Sequence, residues 1–164
     1  MNLNIKIREI DKSEIPQLNI FLYEAIYIPE GQEMIDKEII NLPELSRYIK
    51  NFGQENDICL VAELENKLIG AIWTRIYSST ERGYGYVDSK TPELSMSVLK
   101  EYQRKGAGTR LLKKMIDKFK KYEFEQISLS VDLQNYAFGL YQKFGFVIFE
   151  SDDKSAIMIK KLTK

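Results

Sequence analysis

The sequence of 164 residues contains no histidine and a single cysteine, Cys59. Without histidine, Ser-His-Asp and Cys-His nucleophile systems and every histidine-containing zinc site are excluded. One cysteine excludes CxxC redox pairs, thiolate metal clusters and disulfides within the chain. Long apolar runs are also lacking, because stretches such as 58–62 are far shorter than the roughly 18 residues of a membrane span. Catalysis would therefore depend on carboxylates, tyrosines, lysines, hydroxyls and oriented backbone amides, and we expect no metal site.

The beginning of the chain carries no targeting signal that we recognise. Residues 1–9 alternate charged and apolar side chains and lack the apolar stretch of a secretory signal. The low cysteine content fits a reducing compartment. With 44% apolar and 29% charged residues, the composition is that of an ordinary globular protein. We expect a cytoplasmic protein with a single domain over residues 1–164 and no membrane partner.

The charge is distributed unevenly, although the formal net charge is zero. Residues 100–121 carry nine Lys and Arg against two acidic residues, a net charge of +7. Residues 1–66 carry thirteen Asp and Glu against six Lys and Arg, a net charge of −7. This distribution favours an anionic ligand at one place and a cationic one at another. A solvated basic helix face is the alternative interpretation of the basic block.

Hydrophobic periodicity predicts the order of the secondary structure elements. Alternating or apolar runs predict strands over residues 3–9, 57–64, 67–77, 93–99, 126–132, 146–150 and 156–161. Helical spacing predicts helices over about 12–26, 33–52 with an interruption at Pro43, 109–122 and 135–143. The resulting order, β-α-α-β-β-β-α-β-α-β-β, is typical of an α/β domain with a mixed sheet.

The segment 103–109, Gln-Arg-Lys-Gly-Ala-Gly-Thr, lies between an apolar strand and a basic amphipathic helix. Its glycines allow a ligand to approach the backbone closely, and free amides at a helix N-terminus bind phosphate groups. A side chain at Gly108 is expected to obstruct a bound pyrophosphate and to require a costly backbone geometry. Two glycines in a turn are a weak signal taken alone.

The same segment resembles motif A of the GNAT superfamily of N-acetyltransferases, in which Gln or Arg is followed by Gly three and five residues later. Gln103, Gly106 and Gly108 match that pattern. A second element also matches: a fifth strand is followed by Asn135 and, six residues later, by Tyr141. The element order agrees as well, so the resemblance covers essentially the whole chain. It implies a mostly antiparallel central sheet, splayed between strands 4 and 5.

The resemblance further implies acetyl-coenzyme A as the cofactor. The loop amides would bind its pyrophosphate, and its pantetheine arm would pair with the fourth strand as an added strand. The amide of Val98 would donate a hydrogen bond to the thioester oxygen. The residues implied to bind the cofactor are Met96, Val98, Leu99, Gln103, Arg104, Lys105, Gly106, Ala107, Gly108, Thr109, Asn135 and Tyr141.

The catalytic residues implied by the resemblance are Tyr141, Glu93 and Val98. Tyr141 occupies the position of a proton donor to the departing thiolate, and a core aromatic is the alternative. Asn135 could serve as a helix cap, as a cofactor ligand or as both. Glu93 is the first candidate for the general base, and a solvated carboxylate at the strand end is the alternative. Other candidates for the base are Glu24, Glu30 and an ordered water molecule.

The acceptor is expected to be a primary amine of a small molecule or of a peptide. The resemblance places its pocket in the region of helices 1 and 2 and in the loop between strands 3 and 4, where tyrosines and carboxylates suit a cationic amine. The expected acceptor-binding residues are Glu24, Tyr27, Glu30, Tyr84 and Tyr86. Ser130 stands where some peptide N-terminal acetyltransferases have a glutamate, which argues against that subfamily.

Two other functional classes compete with an acetyltransferase. A non-catalytic coenzyme A-binding module would keep the loop at 103–109 without needing Tyr141 or a base. A nucleic-acid binder would use the basic segment, but the pI of 6.4 is far below the value above 9 that is typical of such domains. We therefore expect no nucleic-acid partner. The sequence is compatible with a monomer and with a homodimer.

Overall fold

The computed structural model describes residues 3–162, which form seven strands and four α-helices. The strands are β1 (Lys6–Glu9), β2 (Ile58–Leu64), β3 (Lys67–Arg75), β4 (Glu93–Val98), β5 (Gln126–Asp132), β6 (Val147–Ser151) and β7 (Ser155–Lys161). The helices are α1 (Leu18–Ala25), α2 (Pro43–Ser46), α3 (Ala107–Phe119) and α4 (Ala137–Lys143). Short 3-10 helices cover Lys12–Gln17, Lys37–Asn41 and Lys100–Tyr102. The predicted element order is confirmed.

All seven strands join one mixed sheet in the order β1-β2-β3-β4-β5-β7-β6. Neighbouring strands are antiparallel except for β4 and β5, which are parallel. Within residues 3–162 the β4–β5 register contains one pair, Glu93 opposite Ser128, and the Ser128 amide donates to the Pro92 carbonyl at 3.0 Å. Beyond that pair the two strands diverge, which confirms the expected splay.

The sheet is covered on both faces because its central strands alternate between two hydrophobic clusters. Leu94 and Val98 of β4 face the cluster that contains the buried side of α3. Ser97 points to the opposite face, where its hydroxyl donates to the Phe21 carbonyl of α1 at 2.7 Å. The apolar face of α3 is fully packed, as its periodicity predicts, with buried residues Ala107, Leu111, Leu112, Met115, Ile116 and Phe119. Packing from α3 on one face and α1 on the other holds β4 in place where it separates from β5.

Several predicted boundaries are wrong. The helix expected over 33–52 is reduced to a 3-10 turn and the one-turn α2, because Pro43 restricts Leu42 to an extended conformation with ψ of 138°. The first strand begins at Lys6 instead of residue 3, since the Ile5 amide bonds locally to the Leu3 carbonyl. β3 ends at Arg75, two residues earlier than predicted.

The helices formed by residues 3–162 do not combine the length and apolar character that a membrane span requires.

Candidate active site

The loop between β4 and α3 is shaped by two residues with positive φ. Gly106 has φ of +96°, and Arg104 has φ of +60°. Gly106 is the N-cap of α3, so the first amides of the helix point out of its N-terminus without partners in the helix. The Gln103 side chain donates to the Val98 carbonyl at 2.9 Å and fixes the loop to the end of β4. This geometry can receive an anion.

Gly108 differs from its prediction. It lies in the first turn of α3, and the left-handed conformation belongs to Gly106 instead, so a side chain at Gly108 would not require a costly backbone geometry. A Cβ at Gly108 would be 3.6 Å from Met96 Cε and 3.9 Å from Leu140 Cδ2, which is ordinary van der Waals contact. The position nevertheless faces the space between β4 and α4, where an added side chain would narrow the opening.

The edge of β4 toward β5 presents backbone amides to this opening. The Leu99 amide donates to the Ile69 carbonyl at 2.8 Å and thus faces β3. Amides alternate in direction along an antiparallel strand, so those of Met96 and Val98 face the other way. The β4–β5 register in the described residues does not extend beyond Glu93, so both amides lie where the strands have separated. An extended ligand can pair with this edge in the manner of a strand.

A cavity of ≈ 380 Å³ lies where β4 and β5 separate. It is lined by Leu22, Ala25, Ile26, Tyr27, Ile39, Leu45, Tyr48, Tyr84, Glu93, Leu94, Ser95, Met96, Ser130, Val131, Asp132, Asn135 and Tyr141. One wall, from α1 and the 37–46 region, is largely apolar. The facing wall carries the carboxylates of Glu93 and Asp132. The cavity therefore offers negative charge beside apolar and aromatic surface.

Glu93 is buried, with only 3% of its surface exposed. The alternative of a solvated strand-end carboxylate is therefore wrong, because Tyr48 and the loop between β3 and β4 cover the end of the strand. The Tyr48 hydroxyl donates to Glu93 Oε2 at 2.5 Å. Among residues 3–162, Glu93 Oε1 has no hydrogen-bond partner. Burial raises the pKa of Glu93 to about 7, although the Tyr48 bond and the nearby Gly85 amide lower it.

Tyr141 is buried on α4, and its ring packs edge-on against Phe146 with 5.7 Å between the centroids. It also lines the cavity, so the ring belongs both to the core and to the site. Burial raises the pKa of Tyr141, which keeps the phenol protonated at neutral pH. A protonated phenol facing the cavity is suited to donate a proton.

The Asn135 Oδ1 accepts a hydrogen bond from the Ala137 amide, the first of α4, at 3.0 Å. The N-cap residue itself is Tyr136, so Asn135 supports the start of the helix from one residue before the cap and does not occupy the predicted cap position. Asn135 also lines the cavity, beside Asp132 and Tyr141. Its capping bond uses the side-chain oxygen, so the amide nitrogen is the group available to a ligand.

The structure brings together only some of the predicted acceptor-binding residues. Tyr27 and Tyr84 line the cavity. Glu24, Glu30 and Tyr86 lie outside its lining, and their predicted role is not supported by this placement. Glu30 is exposed to solvent, whereas the Tyr86 hydroxyl bonds to Ser89 and its ring packs under a guanidinium.

Tyr48 is a cavity residue that was not predicted from the sequence. It is 6% exposed, bonds to Glu93 and lines the cavity. In the sequence it is one of ten tyrosines, within a stretch interpreted as helical. Its pairing with Glu93 spans 45 positions and depends on tertiary structure, so no local pattern could have found it.

Comparison with known proteins identifies the family. The model of the acetyltransferase (GNAT) family matches residues 22–146. The chain belongs to the GNAT family. It is 36% identical over 118 residues to an N-alpha-acetyltransferase of Saccharolobus solfataricus, which covers 65% of this chain and 68% of that protein. The expectations of GNAT membership and of an N-acetyltransferase are confirmed.

Solved GNAT structures have the same fold. The PaiA N-acetyltransferase of Thermoplasma acidophilum in complex with coenzyme A is 26% identical, with a TM-score of 0.67 over 97% of this chain and 99% of that chain. The putative acetyltransferase yncA of Salmonella typhimurium with acetyl-CoA is 19% identical, with a TM-score of 0.71 over 98% of this chain and 95% of that chain. This GNAT protein uses acetyl-CoA as donor and an amine as acceptor, and a non-catalytic binding module is not favoured.

Proposed function

We propose that the protein transfers an acetyl group to a primary amine of a small molecule or peptide by direct attack in a ternary complex. The observation that carries this proposal is that Glu93 and Tyr141 line one cavity beside the open edge of β4. A base and an acid on one cavity allow both proton transfers to occur without a covalent enzyme intermediate. The chain has no histidine, so a carboxylate and a phenol are its natural acid-base pair.

Glu93 is the proposed general base. Amine acceptors with a pKa near 10 are mostly protonated at neutral pH and must lose a proton before attack. A carboxylate whose pKa is about 7 is ionised in about half of the molecules at that pH and is a much stronger base than an ordinary glutamate. Its ionised form also attracts the ammonium group of the acceptor into the cavity.

Tyr141 is the proposed general acid, and the β4 edge is the proposed site of carbonyl polarisation. When bound, acetyl-CoA supplies the thioester carbonyl and a thiolate leaving group. The Val98 amide is predicted to donate to the carbonyl oxygen, and the Met96 amide faces the same opening. Met96 also lines the acceptor cavity, so its amide is a second candidate donor to the carbonyl oxygen. The Tyr141 phenol then gives its proton to the sulfur.

The cofactor is proposed to lie along the loop and the opening already described. The amides of Gly106, Ala107 and Gly108 would hold the pyrophosphate at the N-terminus of α3. Arg104 and Lys105 are exposed on the loop and add positive potential, and the Arg104 guanidinium lies 4.8 Å from the centre of the Tyr136 ring. The remaining members of the predicted cofactor set are Gln103, Thr109 and Asn135, together with Leu99, whose amide bonds to the Ile69 carbonyl and so does not pair with the cofactor.

The cavity favours a cationic amine with an apolar or aromatic body. Leu22, Ile26 and Leu45 form the apolar wall, and Tyr27 and Tyr84 add aromatic surface. The similarity to an N-alpha-acetyltransferase supports a peptide N-terminus as one acceptor class, against the expectation drawn from Ser130. A small-molecule amine is the other class that the apolar and aromatic lining supports. A cytoplasmic location remains a prediction from the low cysteine content.

The direct test is to incubate the purified protein with acetyl-CoA and a panel of polyamines, aryl-alkylamines, amino-acid amides and short peptides. Coenzyme A release should accompany acetylation of at least one amine, detected by mass spectrometry. Varying both substrates should give intersecting kinetic lines, as a ternary complex requires. Parallel lines would indicate a covalent acetyl-enzyme and contradict direct attack. Release of coenzyme A without any acetylated amine would contradict the proposed acceptor class.

A further inference from the structure

The Tyr48 hydroxyl bridges the proposed base and the loop that covers it. It donates to Glu93 Oε2 at 2.5 Å and accepts a hydrogen bond from the Tyr84 amide at 2.6 Å. Tyr48 is 6% exposed, and its backbone carbonyl accepts from Trp73 Nε1 of β3 at 3.1 Å. The phenol therefore extends from a rigid part of the core, while Tyr84, 58% exposed, forms a wall of the acceptor cavity.

Gly83 leaves the space that the Glu93 carboxylate occupies. A Cβ at Gly83 would lie 2.1 Å from Glu93 Oε1 and 2.8 Å from the Tyr48 hydroxyl oxygen. Both distances are far below van der Waals contact, so a methyl group there would displace the carboxylate. The obstacles are the ends of two side chains, Glu93 and Tyr48, and not backbone, so both side chains must shift to admit the methyl group. The Glu93 carboxylate can therefore occupy its observed position only because residue 83 has no side chain.

The Gly85 amide also lowers the pKa of Glu93, but within residues 3–162 Tyr48 is the one side chain that donates to its carboxylate. Arg75 is the register partner of Glu93 on β3, but its guanidinium bonds to Asp57 at 3.0 and 3.1 Å. Tyr77 packs against Tyr48 with 5.3 Å between the ring centroids, and within residues 3–162 its hydroxyl has no partner. The buried Ser128 hydroxyl, opposite Glu93 on β5, likewise has no partner in those residues. The further titratable side chains around the cavity are Tyr27, Tyr84, Asp132 and Tyr141.

We propose that Tyr48 and Gly83 are positioning residues that hold the Glu93 carboxylate in one orientation, control when it accepts a proton, and link it through the Tyr84 amide to the acceptor-cavity wall. This inference rests on the proposed role of Glu93 as general base. An acceptor that contacts Tyr84 would then act on the same loop that holds the base.

The first test is Tyr48→Phe, which keeps the ring and deletes the bridging hydroxyl. The lost donor stabilised the ionised carboxylate, so the pKa of Glu93 should rise, by about 1 to 2 pH units for one charge-assisted hydrogen bond. Less of the base is then ionised at neutral pH. The value of kcat/KM at pH 7 should fall about five- to fiftyfold, in proportion to the ionised fraction, and approach that of the wild type near pH 9, with unchanged affinity for acetyl-CoA. Tyr122, just after the end of α3, has a phenol that is 39% exposed and lies outside the cavity lining. Tyr122→Phe is the control and should leave the pH dependence of kcat/KM unaltered.

The second test is Gly83→Ala, alone and combined with Tyr48→Phe. Both changes disrupt the same contact. The kcat of the double variant should therefore be no more than about threefold below that of the less active single variant. Losses that multiply independently would overturn the coupling. Thermal unfolding should show that each variant remains folded, and a Gly83→Ala protein with wild-type kcat would overturn the assignment of Gly83.

A readout independent of turnover separates this inference from the proposed function. Carbon-13 NMR of glutamate-labelled protein, with the Glu93 signal assigned by its loss in Glu93→Gln, gives the pKa of Glu93 directly. A higher value in Tyr48→Phe supports the positioning role. If that value rises while the kcat/KM profile stays constant, positioning holds and the proposed role of Glu93 as base fails. If the value is the same in both proteins, Tyr48 does not control the carboxylate and the inference is wrong.

Discussion

Ser128 of β5 lies directly opposite Glu93 of β4, at the one register pair that joins these strands in the described residues. Both residues are buried, with 0% and 3% of their surfaces exposed. The two strands are joined at this pair, and along β4 beyond it they separate to form the cavity. The proposed base therefore lies where the opening between β4 and β5 begins. Its backbone is held between β3 and β5, and its buried carboxylate is poorly hydrated.

Glu93→Gln tests the proposed general base. It should lower kcat, remove the acidic limb near pH 7 from the pH–rate profile, and leave the affinity for acetyl-CoA unchanged, because the carboxylate faces the acceptor cavity. Steady-state kinetics across pH and calorimetric titration with acetyl-CoA provide the two measurements. An unaltered profile would move the role to an ordered water molecule, since Glu24 and Glu30, the other candidates from the sequence, lie outside the cavity lining.

The burial of Glu93 should also appear in the stability of the protein. Its pKa is raised from 4.5 to about 7, so between these values the folded protein retains a proton that the unfolded chain has lost. The free energy of unfolding should fall as pH rises through this window, by up to about 3 kcal/mol, relative to Glu93→Gln. Urea denaturation of both proteins at several pH values measures the difference. Parallel stability curves for the two proteins would show that Glu93 titrates normally.

Tyr141→Phe tests the proposed general acid. The ring and its contact with Phe146 remain, and only the hydroxyl is lost. General-acid catalysis of this kind contributes roughly 10²–10⁴-fold in rate, so kcat should fall within that range. Stability should change by about 1 kcal/mol or less. Wild-type turnover in the folded variant would assign Tyr141 to the core alone.

Gly106 and Gly108 should respond differently to substitution. Gly108→Val, placed where β4 and α4 face each other, should weaken acetyl-CoA binding much more than it lowers the melting temperature. Gly106→Ala has open space around its new methyl group but must adopt φ near +96°, so it should destabilise the protein by about 1 kcal/mol or more. Differential scanning fluorimetry with and without acetyl-CoA separates the two effects. Unchanged cofactor affinity in folded Gly108→Val would contradict the proposed cradle.

The ion pair between Arg75 and Asp57 is predicted to stabilise the fold without serving catalysis. Its side chains are 11% and 5% exposed, and the same guanidinium also bonds to the carbonyls of Arg47 and Lys50. Asp57→Asn leaves a largely buried cation without its counter-charge and should cost about 3–5 kcal/mol of unfolding free energy. Denaturant titration measures the loss. The affinity for acetyl-CoA at a permissive temperature should be unchanged, which distinguishes this variant from those at the site.

The sequence allowed the cofactor side to be predicted better than the acceptor side. The turn ahead of α3 and the apolar face of α3 are local patterns, and the structure has both, although residues 107–109 belong to the helix and not to the loop. The region 33–52 was misjudged because its helical spacing competes with Pro43, and the conformation is decided by packing against α1. The contacts of Tyr48 with Glu93 and of Gly83 with the same carboxylate join segments distant in the sequence. Such contacts leave no periodic signal, so the environment of the base could not be foreseen.

Cys59 lies inside β2 with 5% of its surface exposed, and burial raises the pKa of its thiol to about 12. The protein therefore offers almost no thiolate to a chromogenic thiol reagent at neutral pH. During turnover such a reagent would report coenzyme A as it leaves, with little background from the enzyme. A cysteine introduced at Tyr84 would likewise be the one reactive position for a fluorophore, so the movement of the covering loop could be followed in solution.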